Sequence, residues 1–111
     1  MKSFELLNEM VAKANGSQEV KNELKGFDKT FQFKPTDSEA FFVSIKDGGL
    51  SISKGETKDA AAVISATDEL LSRVLSGQAN AVTAFMGGTL KVSGDIFSAQ
   101  KLTSLASKLK K

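Results

Sequence analysis

With 111 residues, 41% of them hydrophobic and 25% charged, the chain has the make-up of one ordinary globular domain, and a formal net charge of +2 is too small to indicate a nucleic-acid partner. It contains no histidine and no cysteine, which removes Ser-His-Asp chemistry, imidazole acid–base catalysis, disulfides and nitrogen- or sulfur-rich metal sites together. No run of about 18 apolar residues is present to span a bilayer, and Glu5 and Glu9 interrupt any signal-peptide pattern at the N-terminus.

Residues 3–15 read as an amphipathic helix with Ser3 as its N-cap and Phe4, Leu7, Met10, Val11 and Ala14 as its apolar stripe; Asn15-Gly16 ends it. Ser17 opens a shorter helix whose strong apolar positions are Val20 and Leu24, closed by Gly26. Both helices are expected on one face of a sheet. Residues 27–34 alternate as a strand, with Phe27, Phe31 and Phe33 on one side and Asp28, Thr30, Gln32 and Lys34 on the other. Pro35 starts a polar turn. Residues 40–46 form the second strand, with Phe41, Val43 and Ile45 facing one way and Phe42, Ser44 and Lys46 the other. Asp47-Gly48-Gly49 signals a hairpin, and residues 50–54 return with Leu50 and Ile52 inward. After a polar loop at 55–59, residues 60–66 read as a small-residue strand through Val63 and Ile64.

Thr67 is a good helix cap, with Asp68 and Glu69 favouring the positive helix end and Leu70, Leu71, Val74 and Leu75 forming the apolar face. Gly77 is placed to end that helix with a positive φ. Ala79, Val82, Phe85 and Met86 recur at helical spacing, and Gly87-Gly88 stops this short segment. Residues 89–93 then alternate, Leu90 and Val92 on one face and Thr89, Lys91 and Ser93 on the other. Gly94-Asp95 breaks the strand and Asp95 caps a last helix over 96–110, whose repeating apolar positions are Ala99, Leu102, Leu105, Ala106 and Leu109. The inventory is an α+β fold: a five-stranded, mostly antiparallel sheet covered on one face by about five helices, with the fifth strand pairing inside the sheet.

The ordered set of a small-residue turn, a short Ala-Phe-Met helix, Gly-x-Leu-Lys-Val-x-Gly-Asp and an amphipathic C-terminal helix resembles the sterol carrier protein 2 family, over residues 27 to 105. The resemblance implies a five-stranded sheet with helices over one face, an apolar tunnel between the two layers, and one lipid-binding domain over residues 1–111. Surplus apolar residues late in the chain fit that implication. Ile96 and Phe97 lie about 100° apart on a helix, so with Leu102 they cannot share one stripe, and a helix apolar on more than one side is buried twice or lines a cavity. The lining expected on this basis is Phe85, Met86, Ile96, Phe97, Leu102, Leu105 and Leu109, with Phe31, Phe33, Val43 and Ile52 from the sheet and Leu71, Val74 and Leu75 from the preceding helix. Singly, each is an ordinary core residue. Gln78 and Gln100 are the polar residues nearest these stretches; a lone glutamine is ordinarily at the surface, and the resemblance implies instead a polar group meeting a lipid head group at the tunnel mouth.

Competing chemistry is poorly supported. Gly87-Gly88-Thr89 lacks the phosphate-loop frame and leads into a strand, so it is turn geometry. Asp47 and Asp95 are turn and cap residues with no sign of pairing, and serines without a histidine stay unactivated. Past Asp95 there is no acid, while Lys101, Lys108, Lys110 and Lys111 follow. One reading is favourable charge at a helix C-terminus plus a solvated tail; the other is transient docking to anionic membranes, where each lysine contributes on the order of 1 kcal/mol. The function expected is therefore non-enzymatic carriage of fatty acids, fatty acyl-CoA or sterol-like lipids to membranes or lipid-metabolising enzymes, by a monomer needing no cofactor. The alternative is a protein interaction module with a solid core. The resemblance implies a domain often fused to peroxisomal β-oxidation enzymes, which commonly end in a Ser-Lys-Leu-type signal; this chain ends Lys-Leu-Lys-Lys, so a free-standing cytoplasmic protein, or a domain excised from a longer chain, is expected.

Overall fold

Phe31 and Phe33, two residues apart on one side of the first strand, put that strand at the centre of the molecule. A computed structural model describes residues 2–110, except the side chains at 107, 108 and 110; the terminal lysines Lys108, Lys110 and Lys111 therefore lie outside what is described. The elements are α1 (Lys2–Asn15), α2 (Gln18–Glu23), β1 (Lys29–Pro35), β2 (Phe41–Lys46), β3 (Gly49–Lys54), β4 (Ala62–Ala66), α3 (Asp68–Leu75), α4 (Ala81–Met86), β5 (Lys91–Gly94) and α5 (Ile96–Lys110). The helical side of β1 carries Phe31 and Phe33, both fully buried. Phe33 stacks on Phe41 of β2 with ring centroids 5.1 Å apart, and Phe4 of α1 meets Phe41 edge-on at 5.4 Å. Such ring pairs contribute about 0.5–1.5 kcal/mol each beyond the area they bury.

The sheet order is β3-β2-β1-β4-β5. β1 pairs antiparallel with β2, β2 with β3 and β4 with β5, but β1 and β4 are parallel, with Phe33 opposite Ile64. The sheet is thus mixed rather than mostly antiparallel. The cause is the segment 55–61, which carries the chain past β2 and β1 before β4 begins. β5 has one neighbour only, so it forms an edge and not the interior strand expected from the sequence. It is four residues long.

Gln32, on the side of β1 opposite the phenylalanines, is only 1% exposed. The crossing segment covers it. Its amide nitrogen donates to the carbonyls of Phe33 (3.2 Å), Phe41 (2.9 Å) and Gly55 (3.1 Å), and its oxygen accepts from the Thr57 N–H at 2.7 Å. A single side chain thereby holds the crossing segment against the face of the sheet turned away from the helices.

On the other face α1, α3 and α5 form the covering layer. Ser3 is not the N-cap of α1: the helix includes it, and the capping group comes from 65 residues away, where Asp68 at the start of α3 accepts the Lys2 amide at 2.8 Å, the Ser3 amide at 3.2 Å and the Ser3 hydroxyl. Burial by itself raises the Asp68 carboxyl, yet the bonds from the Ser3 hydroxyl and the two amides, with the positive N-terminus, outweigh it and hold the group below the ordinary carboxylate value. At the opposite end of α1, Asn15 lies beside β3, its side-chain amide donating to the Leu50 carbonyl and accepting the Leu50 N–H, each at 2.9 Å. The hairpin between β2 and β3 turns through Asp47 (φ 53°) and Gly48 (φ 80°), the two positive φ values of a two-residue turn.

Candidate functional site

Thr67 accepts the Leu70 N–H at 3.1 Å and starts α3, and Asn80 accepts the Thr83 N–H at 3.0 Å and starts α4. Between them Gly77 takes φ 83°, and the Gln78 and Ala79 amides donate to the Arg73 carbonyl, so the 77–80 turn is fixed by backbone bonds. Only Ala84 of α4 is buried. Its carbonyl receives the Thr89 and Leu90 amides, which anchors α4 over the β5 end of the sheet and leaves its flank standing off from α5.

The result is a cleft bounded by α4, β5 and α5, with about 350 Å³ of unfilled space including its mouth. Ile64, Leu90 and Ala99 are its buried floor. Ala81, Val82, Phe85, Val92 and Ile96 form the walls, and Gln100 and Thr103 the rim. Ala81, Val82, Gln100 and Thr103 also line a wider, open vestibule, completed by Val74, the 77–80 turn and Ser104. Among the described residues no ionisable side chain lines either space. The polar groups offered are the amides of Gln78, Asn80 and Gln100 and the hydroxyls of Thr103 and Ser104. Such a site can bury hydrocarbon and hydrogen-bond a polar end, but it holds no acid, base or activated nucleophile. Among the described residues no three His, Cys, Asp or Glu side chains group as metal ligands.

Asp95 stands at the corner between β5 and α5. It accepts the Ser98 amide at 3.1 Å and hydroxyl at 2.6 Å, and Lys29 lies 3.6 Å away. The Ser98 hydroxyl and amide bonds, followed by the Lys29 charge, hold its carboxyl below the ordinary value. The corner itself depends on Gly94, φ 90°, where a Cβ atom would sit 2.4 Å from the Ala61 carbonyl oxygen. Only glycine fits there.

The structure divides the residues singled out from the sequence. Phe85, Ile96 and Gln100 line the cleft, and Gln78, Val74 and Gln100 line the vestibule. Leu102, Leu105 and Leu109 line a smaller apolar gap on the other flank of α5, facing Leu7, Met10 and Val11 of α1 and Leu50 of β3. Phe31, Phe33, Val43, Leu71 and Leu75 are buried in the central cluster, and Ile52 packs against it half-exposed. They fill the layer between sheet and helices where the tunnel was expected; the structure shows a cleft at the sheet's end in its place. Met86 and Phe97 line neither space. They are 80% and 84% exposed, because each lies one residue, about 100°, past a lining neighbour. Ile64, Ala81, Val82, Leu90, Val92, Ala99 and Thr103 are lining residues that the sequence reading omitted. Strand parity with Phe33 and Leu90, and the three-residue step from Gln100 to Thr103, were the available signals for some of them.

The family model described as the SCP-2 sterol transfer family matches residues 7–107. The chain is 33% identical over 81 residues to hydroxysteroid dehydrogenase-like protein 2 of Mus musculus; the match covers 71% of this chain and 16% of that protein, so the chain spans a small part of the relative's length. The sterol carrier protein domain 2 of Helicoverpa armigera has a similar fold, with a TM-score of 0.78 at 19% identity over 98% of this chain and 88% of that one. So does the sterol carrier protein 2 of Aedes aegypti solved in complex with palmitate, with a TM-score of 0.68 at 16% identity over 98% of this chain and 94% of that one.

Proposed function

Because the chain belongs to the SCP-2 sterol transfer family, we propose that it is a lipid carrier, taking a long-chain fatty acid, a fatty acyl-CoA or a sterol-like lipid into the cleft between α4, β5 and α5. It releases that lipid unaltered to a membrane or to a lipid-metabolising enzyme, and residues 1–111 act as one lipid-binding domain. The observation that carries the reading is the junction of two spaces: an apolar cleft without charge opens directly into a vestibule edged by the amides of Gln78, Asn80 and Gln100. The hydrocarbon end belongs in the first and the polar end in the second. The Aedes aegypti relative of the same fold binds palmitate, which supports an acyl chain as the cargo.

Burial supplies the affinity. At about 0.8 kcal/mol per CH₂, a sixteen-carbon chain gains on the order of 10 kcal/mol before the entropy of binding is subtracted. The room enclosed within the cleft is only about 30 Å³, far below the roughly 300 Å³ at which ligand pockets begin, so a chain enters only as α4 and α5 part. It then runs beneath α5 towards the smaller gap at Leu102, Leu105 and Leu109, with α5 moving outward as a lid. A terminal helix is the cheapest element to displace.

The filled layer around Phe31, Phe33 and Phe41 favours a second reading, an interaction module that binds no lipid. One experiment separates the two. Protein purified without detergent is extracted with organic solvent, the extract is analysed by mass spectrometry, and the stripped protein is titrated with a fluorescent fatty acid. The carrier yields co-purifying fatty acids and a saturable titration. Absence of both overturns the carrier reading.

A further inference from the structure

Among the described residues, every large apolar side chain that is strongly exposed lies on α4 or the first turn of α5: Val82 (47%), Phe85 (38%), Met86 (80%), Ile96 (38%) and Phe97 (84%). Elsewhere among the described residues such side chains are buried or half-buried. Val82, Phe85 and Ile96 are also walls of the cleft, so the exposed face and the mouth of the site are one surface. We propose that this face docks on an anionic lipid bilayer, with Met86 and Phe97 entering the acyl region beside the open cleft; the proposal names the partner of the same site and rests on the carrier reading for its purpose.

Charge selects the occupant. On the elements that carry this face, α4, β5 and α5 with the corner between the last two, the described charged side chains are Lys91, Lys101 and one acid, Asp95. That acid is occupied by Ser98 and Lys29, so it presents no free negative charge. Phe97 shares a helical face with Lys101, four residues on, and the Lys101 ammonium lies 4.5 Å from the centre of the Phe27 ring. Lys91 on β5 is exposed and makes no ion pair among the described residues. An apolar face edged by cations matches anionic head groups above hydrocarbon. A second copy of the chain would bring two cationic edges together, which works against self-association through this face.

The test is co-sedimentation with vesicles of phosphatidylcholine and phosphatidylserine, and with vesicles of phosphatidylcholine alone. The protein binds the mixed vesicles more tightly, and its binding weakens severalfold between ~0.1 and ~0.5 M NaCl. The double variant M86S/F97S, altered only at exposed positions, binds the mixed vesicles more weakly by on the order of tenfold or more. In vesicle-free solution it keeps wild-type affinity for a fluorescent fatty acid, because neither side chain lines the cleft. If vesicle binding follows the variant and the lipid composition but no fatty acid binds in solution, docking stands and the carrier reading falls. If the variant holds vesicles as well as the wild type, or phosphatidylserine makes no difference, the docking proposal is wrong. Loss in the variant of a dimer seen by sedimentation, without vesicle binding in either protein, gives the face to a second copy and equally overturns it.

Discussion

Replacing Ala81 by leucine tests whether hydrocarbon enters the cleft. Ala81 opens α4, is half-buried, and lines both the apolar cleft and the vestibule, so a longer side chain there projects into the passage between them. Leucine is nearly as good a helix former as alanine, a difference of a few tenths of a kcal/mol, and the fold should survive. The three added carbons occupy space that otherwise holds roughly three methylenes of ligand. At about 0.8 kcal/mol each the loss is about 2.4 kcal/mol, or about fiftyfold in Kd. Displacement of a fluorescent fatty acid measures the affinity, and a thermal melt without ligand shows whether the fold is intact. An affinity within about twofold of wild type, with an unchanged melt, means the chain does not lie in this cleft.

Three further substitutions probe the frame around the site. Gln32→Leu removes four hydrogen bonds and strands the Thr57 N–H; it should lower stability in urea by about 2–4 kcal/mol and speed hydrogen exchange at Thr57, and a change under about 0.5 kcal/mol would refute the role given to Gln32. Asp68→Asn should cost about 1.5–3 kcal/mol at neutral pH and flatten the acid side of the stability profile. The Asp68 carboxyl titrates lower in the folded protein than in the unfolded chain, so its contribution is complete above the unfolded value near 3.9 and disappears as the pH falls through the folded one. Wild-type stability should therefore drop more steeply than that of the variant below about pH 4; parallel acid limbs would sink the assignment. Gly94→Ala forces a Cβ to within 2.4 Å of the Ala61 carbonyl at a positive φ and should cost at least about 2–3 kcal/mol in urea unfolding, with loss of fatty acid binding as the β5–α5 corner shifts.

What could be read from the chain was whatever is decided by neighbours in sequence. The caps Ser17, Thr67 and Asp95, the Asp47-Gly48 turn and the two-residue alternation of β1 and β2 stand where the sequence places them. The misreadings concern groups whose partners are remote. Ser3 has the chemistry of a cap, and only the docking of α3 makes Asp68 the cap instead. Gln32 alternates like a solvent-facing residue because nothing nearby announces that residues 55–61 will cross above it. That same crossing produces the parallel β1–β4 pair. At the site, Phe85 and Ile96 were recognisable as surplus apolar residues, whereas the separation of Met86 and Phe97 from them is a matter of helix rotation against α5, which no local pattern records. Ala81 and Ala99 do not announce themselves as lining residues for a simpler reason: small residues mark a cleft by the volume they leave empty.

The amide of Asn15 occupies both backbone groups of Leu50 on the free side of β3, much as a neighbouring strand would. A molecule that shows bare oily surface during its working cycle risks zipping onto its own copies, and the open margin of a sheet is the usual starting point for such polymers. Here one margin is plugged at Leu50, near the start of β3, by a counterfeit peptide unit, and the other is four residues long and bends away at Gly94. Both devices shorten the length of bare backbone that a second copy could pair with.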